Sequence, residues 1–193
     1  IKKDIDPKII SINRISTPDE ISRIERNLIN SKIPKVQGKL IQVEGLVLKE
    51  VTELTIKLNT SHSQVEQILE MKDFVFKNWH YVFDPNTGSD TWRSAEATIS
   101  LKYKNKYSGD CDDFAILMAS FARQIGLESR MVGGFSGNSG HAFAEFLLPK
   151  QYKLKTYNID YRKDYRGVWV SLDWFKGYDH NKYLEYFKIF DNI

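Results

Sequence analysis

The fold is decided by residues 109–126, which read GDCDDFAILMASFARQIG. Apolar side chains recur there at steps of three and four, as one buried helical face requires. These side chains are Phe114, Leu117, Met118, Phe121, Ala122 and Ile125. Asp112 and Asp113 fall in the first turn, where acidic groups suit the helix dipole, and Gly126 is a typical helix stop. The sequence therefore predicts a well-anchored helix that begins near Cys111.

Cys111 is the only cysteine in the chain, and the predicted helix presents it at its N-terminal tip. Unpaired N–H groups at that end carry partial positive charge, which favours the reactive thiolate form. A lone cysteine is more often a small buried hydrophobe, and that alternative stays open. However, residues 108–113 include three aspartates and no large apolar side chain, which argues against simple burial. We therefore interpret Cys111 as a candidate nucleophile.

Length and composition narrow the class of protein. A chain of 193 residues suits one domain, or one domain with an extra lobe. The net charge of +3 gives no electrostatic case for nucleic-acid binding. No apolar stretch reaches the roughly 18 residues that a membrane span needs. No Cys/His cluster has the spacing of metal ligands, so neither a metal nor another cofactor is predicted.

The chain begins at Ile1 rather than Met and shows no signal peptide, which we interpret as a trimmed fragment whose targeting segment was removed. One cysteine excludes an internal disulfide but leaves the compartment open, because a free thiol can also exist outside the cytoplasm. The location is therefore undetermined, with an exported or cell-envelope protein as one expectation.

Residues 1–60 are predicted to form an accessory region of helix and strand. A capping box, TPDE, opens a helix over residues 17–30, and residues 31–38 read as a linker. Residues 40–58 have a β-like pattern, because apolar and polar side chains alternate near its end. Residues 63–79 begin with a second capping box and read as another helix, which ends before a turn-rich loop.

The chain after the Cys111 helix has β-type patterns. Candidate strands lie at residues 129–135, 141–148 and 168–172. The basic, tyrosine-rich stretch at residues 150–166 reads as a long hairpin excursion, and residues 183–190 are predicted to pack on the body. Helices followed by strands favour an α+β fold with a mostly antiparallel sheet.

His141 has the best context among the four histidines for activating a thiol. It follows a glycine-rich turn and begins a strand, from which it can point across a cleft at a helix tip. His62 and His80 are more simply explained as surface or capping groups. The imidazole needs a partner that fixes its orientation, and Asp173 and Asp160 both fit a neighbouring strand. A role in a turn is the commoner one for aspartate.

Four blocks of the sequence, in their order, resemble the transglutaminase-like superfamily. The blocks are GDCDDFA (109–115), GLESRMVGG (126–134), GHAFAE (140–145) and WVSLD (169–173). The resemblance extends over residues 79–175. It implies a papain-like core, in which a Cys-bearing helix packs on an antiparallel sheet that carries His and Asp. The periodicity of the sequence agrees with that arrangement.

The resemblance implies that Cys111 is the nucleophile, His141 the general base and Asp173 the orienting acid. Asp173 is favoured over Asp160 because it ends the WVSLD block. His141 and Asp173 are 32 residues apart (173 − 141), which is longer than the family usually shows. An insertion at residues 150–166 accounts for the excess.

The resemblance further implies thiol acyl chemistry in a transglutaminase-like catalytic domain at residues 61–193. Hydrolysis of a peptide or amide bond, as in a cysteine protease, is the favoured reaction, so the partner is a protein or peptide substrate. The alternatives are a protein-glutamine cross-linking enzyme and a non-catalytic peptide-binding module. The Cys111 backbone N–H would stabilise the oxyanion. Trp92 is a candidate second donor through its indole N–H, with a core aromatic as the alternative.

Overall fold

The computed structural model describes residues 39–59, 63–84, 91–136, 139–153, 159–174, 180–183 and 186–190. The helices are α1 (Gly45–Lys57), α2 (Gln64–Lys77), α3 (Ala95–Ser100) and α4 (Cys111–Gln124), with a short 3-10 helix at His180–Tyr183. The strands are β1 (Trp79–Tyr81), β2 (Tyr107–Gly109), β3 (Ser129–Ser136), β4 (Ser139–Leu147), β5 (Tyr161–Asp164), β6 (Gly167–Ser171) and β7 (Tyr186–Phe190). The predicted helix at 17–30 and the linker at 31–38 lie outside the described residues.

Helix α4 confirms the prediction from residues 109–126 and occupies the centre of the core. Asp110 caps the helix, since its carboxylate accepts a hydrogen bond from the Asp112 backbone N–H at 3.3 Å. Gly126 follows its last turn with a φ of +85°, a conformation that glycine adopts without strain. Every residue from 112 to 122 is buried, so α4 is covered on all sides and not only on its predicted apolar face.

Helix α1 shows that the prediction of strands at residues 40–58 is wrong. The buried side chains of α1 are spaced three and four residues apart, as on one face of a helix. They are Val47, Glu50, Val51 and Leu54. The apparent alternation arose because Ile56 is a surface residue of the helix, with 75% of its side chain exposed. The apolar side chains of this segment share one hydrophobic cluster with α4, and the domain boundary at residue 60 stays a prediction.

Helix α2 begins at the predicted capping box. The Ser63 hydroxyl accepts a hydrogen bond from the Glu66 backbone N–H, and the Glu66 carboxylate accepts one from the Ser63 N–H. The helix ends at Lys77, so Trp79, which was predicted to lie on it, begins β1 instead. β1 pairs in parallel with β2, the strand that leads into α4. This small ladder was not predicted, because each of its strands has only three residues.

The main sheet has the strand order β5-β6-β4-β3-β7, and each neighbouring pair is antiparallel, which confirms the predicted α+β class. The three strands predicted at residues 129–135, 141–148 and 168–172 correspond to β3, β4 and β6. The excursion at residues 150–166 supplies β5, which forms a hairpin with β6. The C-terminal segment packs on the body as predicted, because β7 adds a strand beside β3.

Helix α4 packs on one face of the main sheet, where the Ser129 hydroxyl donates to the Ala119 carbonyl oxygen at 2.6 Å. Apolar side chains from three strands join α4 in the core on that face. They are Met131, Ala142, Ala144, Phe146 and Val170. Because side chains alternate along a strand, Arg130 and Glu145, which lie between these positions, face away from α4. On that second face Arg130 lies opposite Glu145 in register, and their side chains form a buried ion pair at 2.5 Å.

Candidate active site

Cys111 is the first residue of α4 and is half-buried against the hydrophobic core. Gly109, two residues earlier, has a φ of +154°, a backbone conformation that residues other than glycine rarely adopt. Its carbonyl oxygen accepts hydrogen bonds from the Trp79 indole N–H at 3.1 Å and from the Val82 backbone N–H at 3.0 Å. The turn that leads into Cys111 is therefore held in place by β1 and the residue that follows it.

Asp113 lies fully buried in the first turn of α4, where Arg93 binds its carboxylate. The Arg93 Nε–H donates to both Asp113 oxygens, at 3.1 and 3.0 Å, and its Nη2 donates to the Ser108 carbonyl oxygen at 3.3 Å. The hydrogen bond to Asp113 raises the pKa of Arg93. Burial raises the pKa of Asp113, and the hydrogen bonds and charge of Arg93 oppose that shift. Sequence reasoning missed Arg93, because no local pattern links it to a residue twenty positions later.

Trp92, the candidate oxyanion donor, precedes Arg93 and is half-buried against the core. The Arg93 backbone N–H also donates to Asp113 Oδ1, at 3.2 Å. Backbone and side chain of Arg93 thus fasten the segment that carries Trp92 to the first turn of α4. A donor role for the Trp92 indole stays a prediction.

His141 and Asp173 form a buried pair, with 2.7 Å between His141 Nε2 and Asp173 Oδ2. Only 6% of the His141 side chain and 3% of the Asp173 side chain are exposed. The Asp173 backbone N–H donates to the Ser171 hydroxyl oxygen at 3.1 Å, which fixes the chain as it leaves β6. A carboxylate in this position fixes the orientation of the imidazole ring.

Two aromatic rings flank the imidazole of His141. The Tyr183 ring, from the 3-10 helix, lies 4.9 Å from it between centroids, and the Phe143 ring lies 6.1 Å away. Tyr183 is buried, with 7% of its side chain exposed. The sequence predicted packing of this C-terminal segment but did not single out Tyr183, because its aromatic residues have no regular spacing.

Cys111 and His141 lie toward the same end of the layer formed by α4 and the sheet. Toward the other end, Arg123 Nη2 donates to the Ser129 carbonyl oxygen at 2.6 Å, and Ser129 is paired with Phe146. From Arg123 back to Cys111 the helix rises about 18 Å. From Phe146 back to His141 the strand covers about 17 Å. The two distances from this shared contact are thus nearly equal.

A ring contact near Cys111 shows that α4 and β4 lead from the Arg123–Ser129 contact toward the same end of the layer. The Phe114 ring, one turn after Cys111, packs on the Trp174 ring with 5.3 Å between centroids. Trp174 directly follows Asp173, whose carboxylate binds His141. One packed pair of rings therefore connects the first turn of α4 to the segment that carries the His–Asp pair.

The other residues considered from the sequence lie in different surroundings. His80 is exposed on β1, and His62 lies outside the described residues. The Asp160 carbonyl oxygen accepts a hydrogen bond from the Ser171 backbone N–H at 2.9 Å, beside the start of the β5–β6 hairpin. The Asp173 side chain, by contrast, contacts the His141 imidazole.

Asp110, Cys111 and Asp112 are the one group in the described part of the chain whose side chains could together hold a metal ion. Their carboxylate oxygens and sulfur lie within 4.8 Å of one another. The set mixes hard oxygen donors with a soft thiolate, and so it favours neither calcium nor zinc clearly. Because the Asp110 carboxylate also caps α4, we assign no metal to this group.

Comparison with known families gives one match, a model of the transglutaminase-like superfamily that covers residues 52–174. The chain belongs to this superfamily. The matched region contains the Cys111, His141 and Asp173 blocks, so the resemblance deduced from the sequence is confirmed. It also begins inside α1, within the segment that was predicted to be accessory.

Solved structures similar to this superfamily member include a candidate cysteine protease from Cytophaga hutchinsonii, with 15% identity and a TM-score of 0.44. That match covers 92% of this chain but only 55% of the C. hutchinsonii protein. Legionella pneumophila LapG has 19% identity and a TM-score of 0.44, over 87% of this chain and 75% of LapG. The calcium-bound form of LapG gives 18% identity and the same TM-score, over 88% and 79% of the two chains. No curated protein sequence matches the chain.

Proposed function

We propose that this protein is a cysteine-dependent acyl-transfer enzyme that hydrolyses peptide or amide bonds with Cys111, His141 and Asp173. The observation that supports it most is the buried contact of 2.7 Å between His141 Nε2 and Asp173 Oδ2. That pair lies toward the end of the helix-on-sheet layer at which α4 begins with the only cysteine. A buried imidazole, a carboxylate and a thiol at a helix N-terminus are the groups that nucleophilic thiol chemistry requires.

The reaction assigns a separate role to each residue. The Cys111 sulfur attacks the carbonyl carbon, while His141 holds the thiol proton and then donates it to the leaving amine. Because Asp173 binds Nε2, the proton moves through the other ring nitrogen, Nδ1. Water then attacks the thioester, which releases the acid and restores the thiol.

Stabilisation of the oxyanion comes from the start of α4. The Cys111 backbone N–H lies among the unpaired donors of the helix N-terminus, where negative charge is favoured. Trp92 supplies the second donor in our proposal, because Arg93 fastens its segment to the first turn of α4. A preorganised donor of this kind typically contributes about 10²-fold in rate or more.

Transfer of the acyl group to an amine is the second reaction of the same class. Both reactions share the first step, and access of water to the thioester decides between them. Hydrolysis is favoured because compact relatives of microbial type resemble proteases more than cross-linking enzymes. A non-catalytic peptide-binding module is the rival of a different class, and the presence of all three residues argues against it.

The test is alkylation of Cys111 by iodoacetamide at about pH 6, followed by intact mass, because an ordinary thiol with a pKa of about 8.5 reacts slowly there. We expect rapid modification of the wild type and at least about ten-fold slower modification of His141→Ala. His80→Ala is the matched control, since that histidine is exposed on β1, and it should react like the wild type. Equally slow modification of all three proteins would favour the binding module.

Incubation with casein then separates the two reactions. A hydrolase shortens or deamidates casein whether or not a fluorescent primary amine is added, and the Cys111→Ala variant does neither. A transferase attaches the amine to casein instead. Covalent labelling without hydrolysis would therefore replace our proposal by the cross-linking alternative.

A further inference from the structure

Three consecutive apolar side chains, Tyr81, Val82 and Phe83, are exposed beside the candidate active site. Their exposed fractions are 40%, 46% and 79%, and Phe83 is the most exposed large apolar side chain among the described residues. Tyr81 and Phe83, whose rings are in contact, form what we call the aromatic strip. Single apolar residues on a surface are common, whereas a contiguous apolar patch usually marks a binding site.

The backbone of the aromatic strip is attached to the turn that leads into the nucleophile. In the ladder of β1 and β2, Tyr81 pairs with Gly109, two residues before Cys111. The Val82 backbone N–H then donates to the Gly109 carbonyl oxygen at 3.0 Å. The strip is thus held at a fixed distance from Cys111, as a substrate-positioning surface must be.

The side chains of the strip reach toward the second half of the site. The Tyr81 ring contacts the Phe83 ring edge-on, with 4.8 Å between centroids, and lies 5.0 Å from the Trp174 ring. Trp174 directly follows Asp173, the residue bound to His141. A continuous series of ring contacts therefore runs from exposed Phe83 through Tyr81 to buried Trp174, between the segments that carry the nucleophile and the orienting acid.

We propose that the aromatic strip is the subsite for an apolar or aromatic side chain of the substrate, on the acyl side of the bond that is cleaved. This inference rests on the proposed function and adds a substrate class to it. Aromatic rings bind such side chains by edge-to-face contact and by burial of apolar surface. The acyl side is assigned because only the acyl part stays attached to Cys111 through both half-reactions.

The test compares three dipeptidyl chloromethyl ketones, N-blocked Ala-Ala, Ala-Phe and Phe-Ala. In each the Cys111 thiolate displaces chloride, so that a C–S bond forms as the C–Cl bond breaks, and intact mass gives the rate. We expect one of the Phe reagents to modify the wild type at least about ten-fold faster than Ala-Ala, the discrimination typical of an apolar pocket. Phe83→Ala and Tyr81→Ala should each reduce that ratio toward one.

Tyr165→Ala is the matched control, because Tyr165 is 53% exposed but lies in the β5–β6 turn, at the end of β6 opposite to Asp173. This variant should keep the wild-type ratio. Iodoacetamide carries no side chain to be recognised, so its rate with each protein measures the intrinsic reactivity of Cys111, and it should modify Tyr165→Ala as fast as the wild type. The subsite is refuted, while the proposed function stands, if the wild type reacts fast with iodoacetamide but is modified no faster by a Phe reagent than by Ala-Ala. It is also refuted if Phe83→Ala leaves the ratio of these two rates unchanged. Slow iodoacetamide reaction of the wild type refutes the proposed function itself.

Discussion

At the scale of single residues, the site depends on how firmly the imidazole of His141 is held. Asp173 fixes one ring nitrogen, and the rings of Tyr183 and Phe143 flank the imidazole. In the proposed mechanism His141 must stay within hydrogen-bond reach of the thiol proton, so loosening any of these contacts should reduce the reactivity of Cys111.

Replacing Asp173 tests the hydrogen bond to the imidazole. Asp173→Ala should lower the rate of Cys111 alkylation at about pH 6 by about ten-fold or more, because the imidazole ring loses the partner that orients it. Asp173→Asn should keep more of the rate, since an amide oxygen still accepts from the Nε2–H. Alkylation rates followed by intact mass give the order. An Asn variant as slow as the Ala variant would mean that charge, and not orientation, is the contribution of Asp173.

Tyr183 tests the packing of the imidazole. Tyr183→Ala should lower the Cys111 alkylation rate by about ten-fold, because a small displacement of the base is costly. Tyr183→Phe keeps the ring that lies 4.9 Å from the imidazole and should react almost like the wild type. Circular dichroism of both variants controls for the fold. Equal rates in the two variants would contradict a positioning role for the ring.

At the scale of secondary structure, the sequence predicted the elements that local patterns determine and missed those that depend on contacts between distant residues. Helix α4 and strands β3, β4 and β6 were predictable because burial alone sets their periodicity. Helix α1 was not predicted, because the five residues 54–58 alternate between apolar and polar side chains as in a strand. The helical spacing of its buried side chains becomes clear only once their packing with α4 is known. The contact between Arg93 and Asp113 was also beyond prediction, since it joins residues distant in sequence through a turn with no repeating pattern.

Gly109 carries a prediction at this scale. A Cβ at this position would overlap the Asp113 carboxylate, and the φ of +154° is strained for any other residue. Gly109→Ala should lower the free energy of unfolding by about 2 kcal/mol or more and also slow alkylation of Cys111. Ser108→Ala, in the same turn, should leave both quantities nearly unchanged. Urea denaturation measures the first effect, and a wild-type midpoint for Gly109→Ala would contradict it.

At the scale of the whole molecule, the two faces of the main sheet are stabilised differently. The face toward α4 is apolar, whereas the other face buries Glu145 between Arg130 and Arg162, with ion-pair distances of 2.5 and 2.6 Å. The Arg130 guanidinium also stacks on the Trp169 ring, 3.5 Å from its centroid. This cluster joins β3, β4, β5 and β6, so the hairpin inserted between His141 and Asp173 is bound to the sheet by charge. No pattern in the sequence predicted that a fully buried glutamate would lie on this face.

The cluster predicts how stability depends on pH. Burial opposes ionisation of Glu145, but the charges and hydrogen bonds of Arg162 and Arg130 outweigh it, so the pKa of Glu145 is lowered from 4.5. Its contribution is therefore complete above pH 4.5 and is lost as the pH falls through the lowered value. Glu145→Gln should lower the free energy of unfolding by about 3–5 kcal/mol at neutral pH. The stability of this variant should also decrease less than that of the wild type as the pH falls. Urea denaturation between pH 3 and 7 is the measurement.

Glu53→Gln is the control for that experiment, because the Glu53 side chain is 58% exposed and its ion pair with Lys49 is 4.0 Å long. Exposed pairs contribute little, so this variant should unfold like the wild type at each pH. An unchanged acid dependence in Glu145→Gln would show that the cluster does not set the acid stability of the fold.

The position of Tyr183 after Cys111, His141 and Asp173 in the sequence has a consequence for biosynthesis. A ribosome extrudes Cys111, His141 and Asp173 before it extrudes the 3-10 helix and β7. The nascent chain therefore holds all three reactive groups while one wall around the imidazole is still missing. In the proposed mechanism, reactivity should emerge only after the 3-10 helix has left the exit tunnel, so the nascent chain should not cleave a substrate before its translation has passed Tyr183.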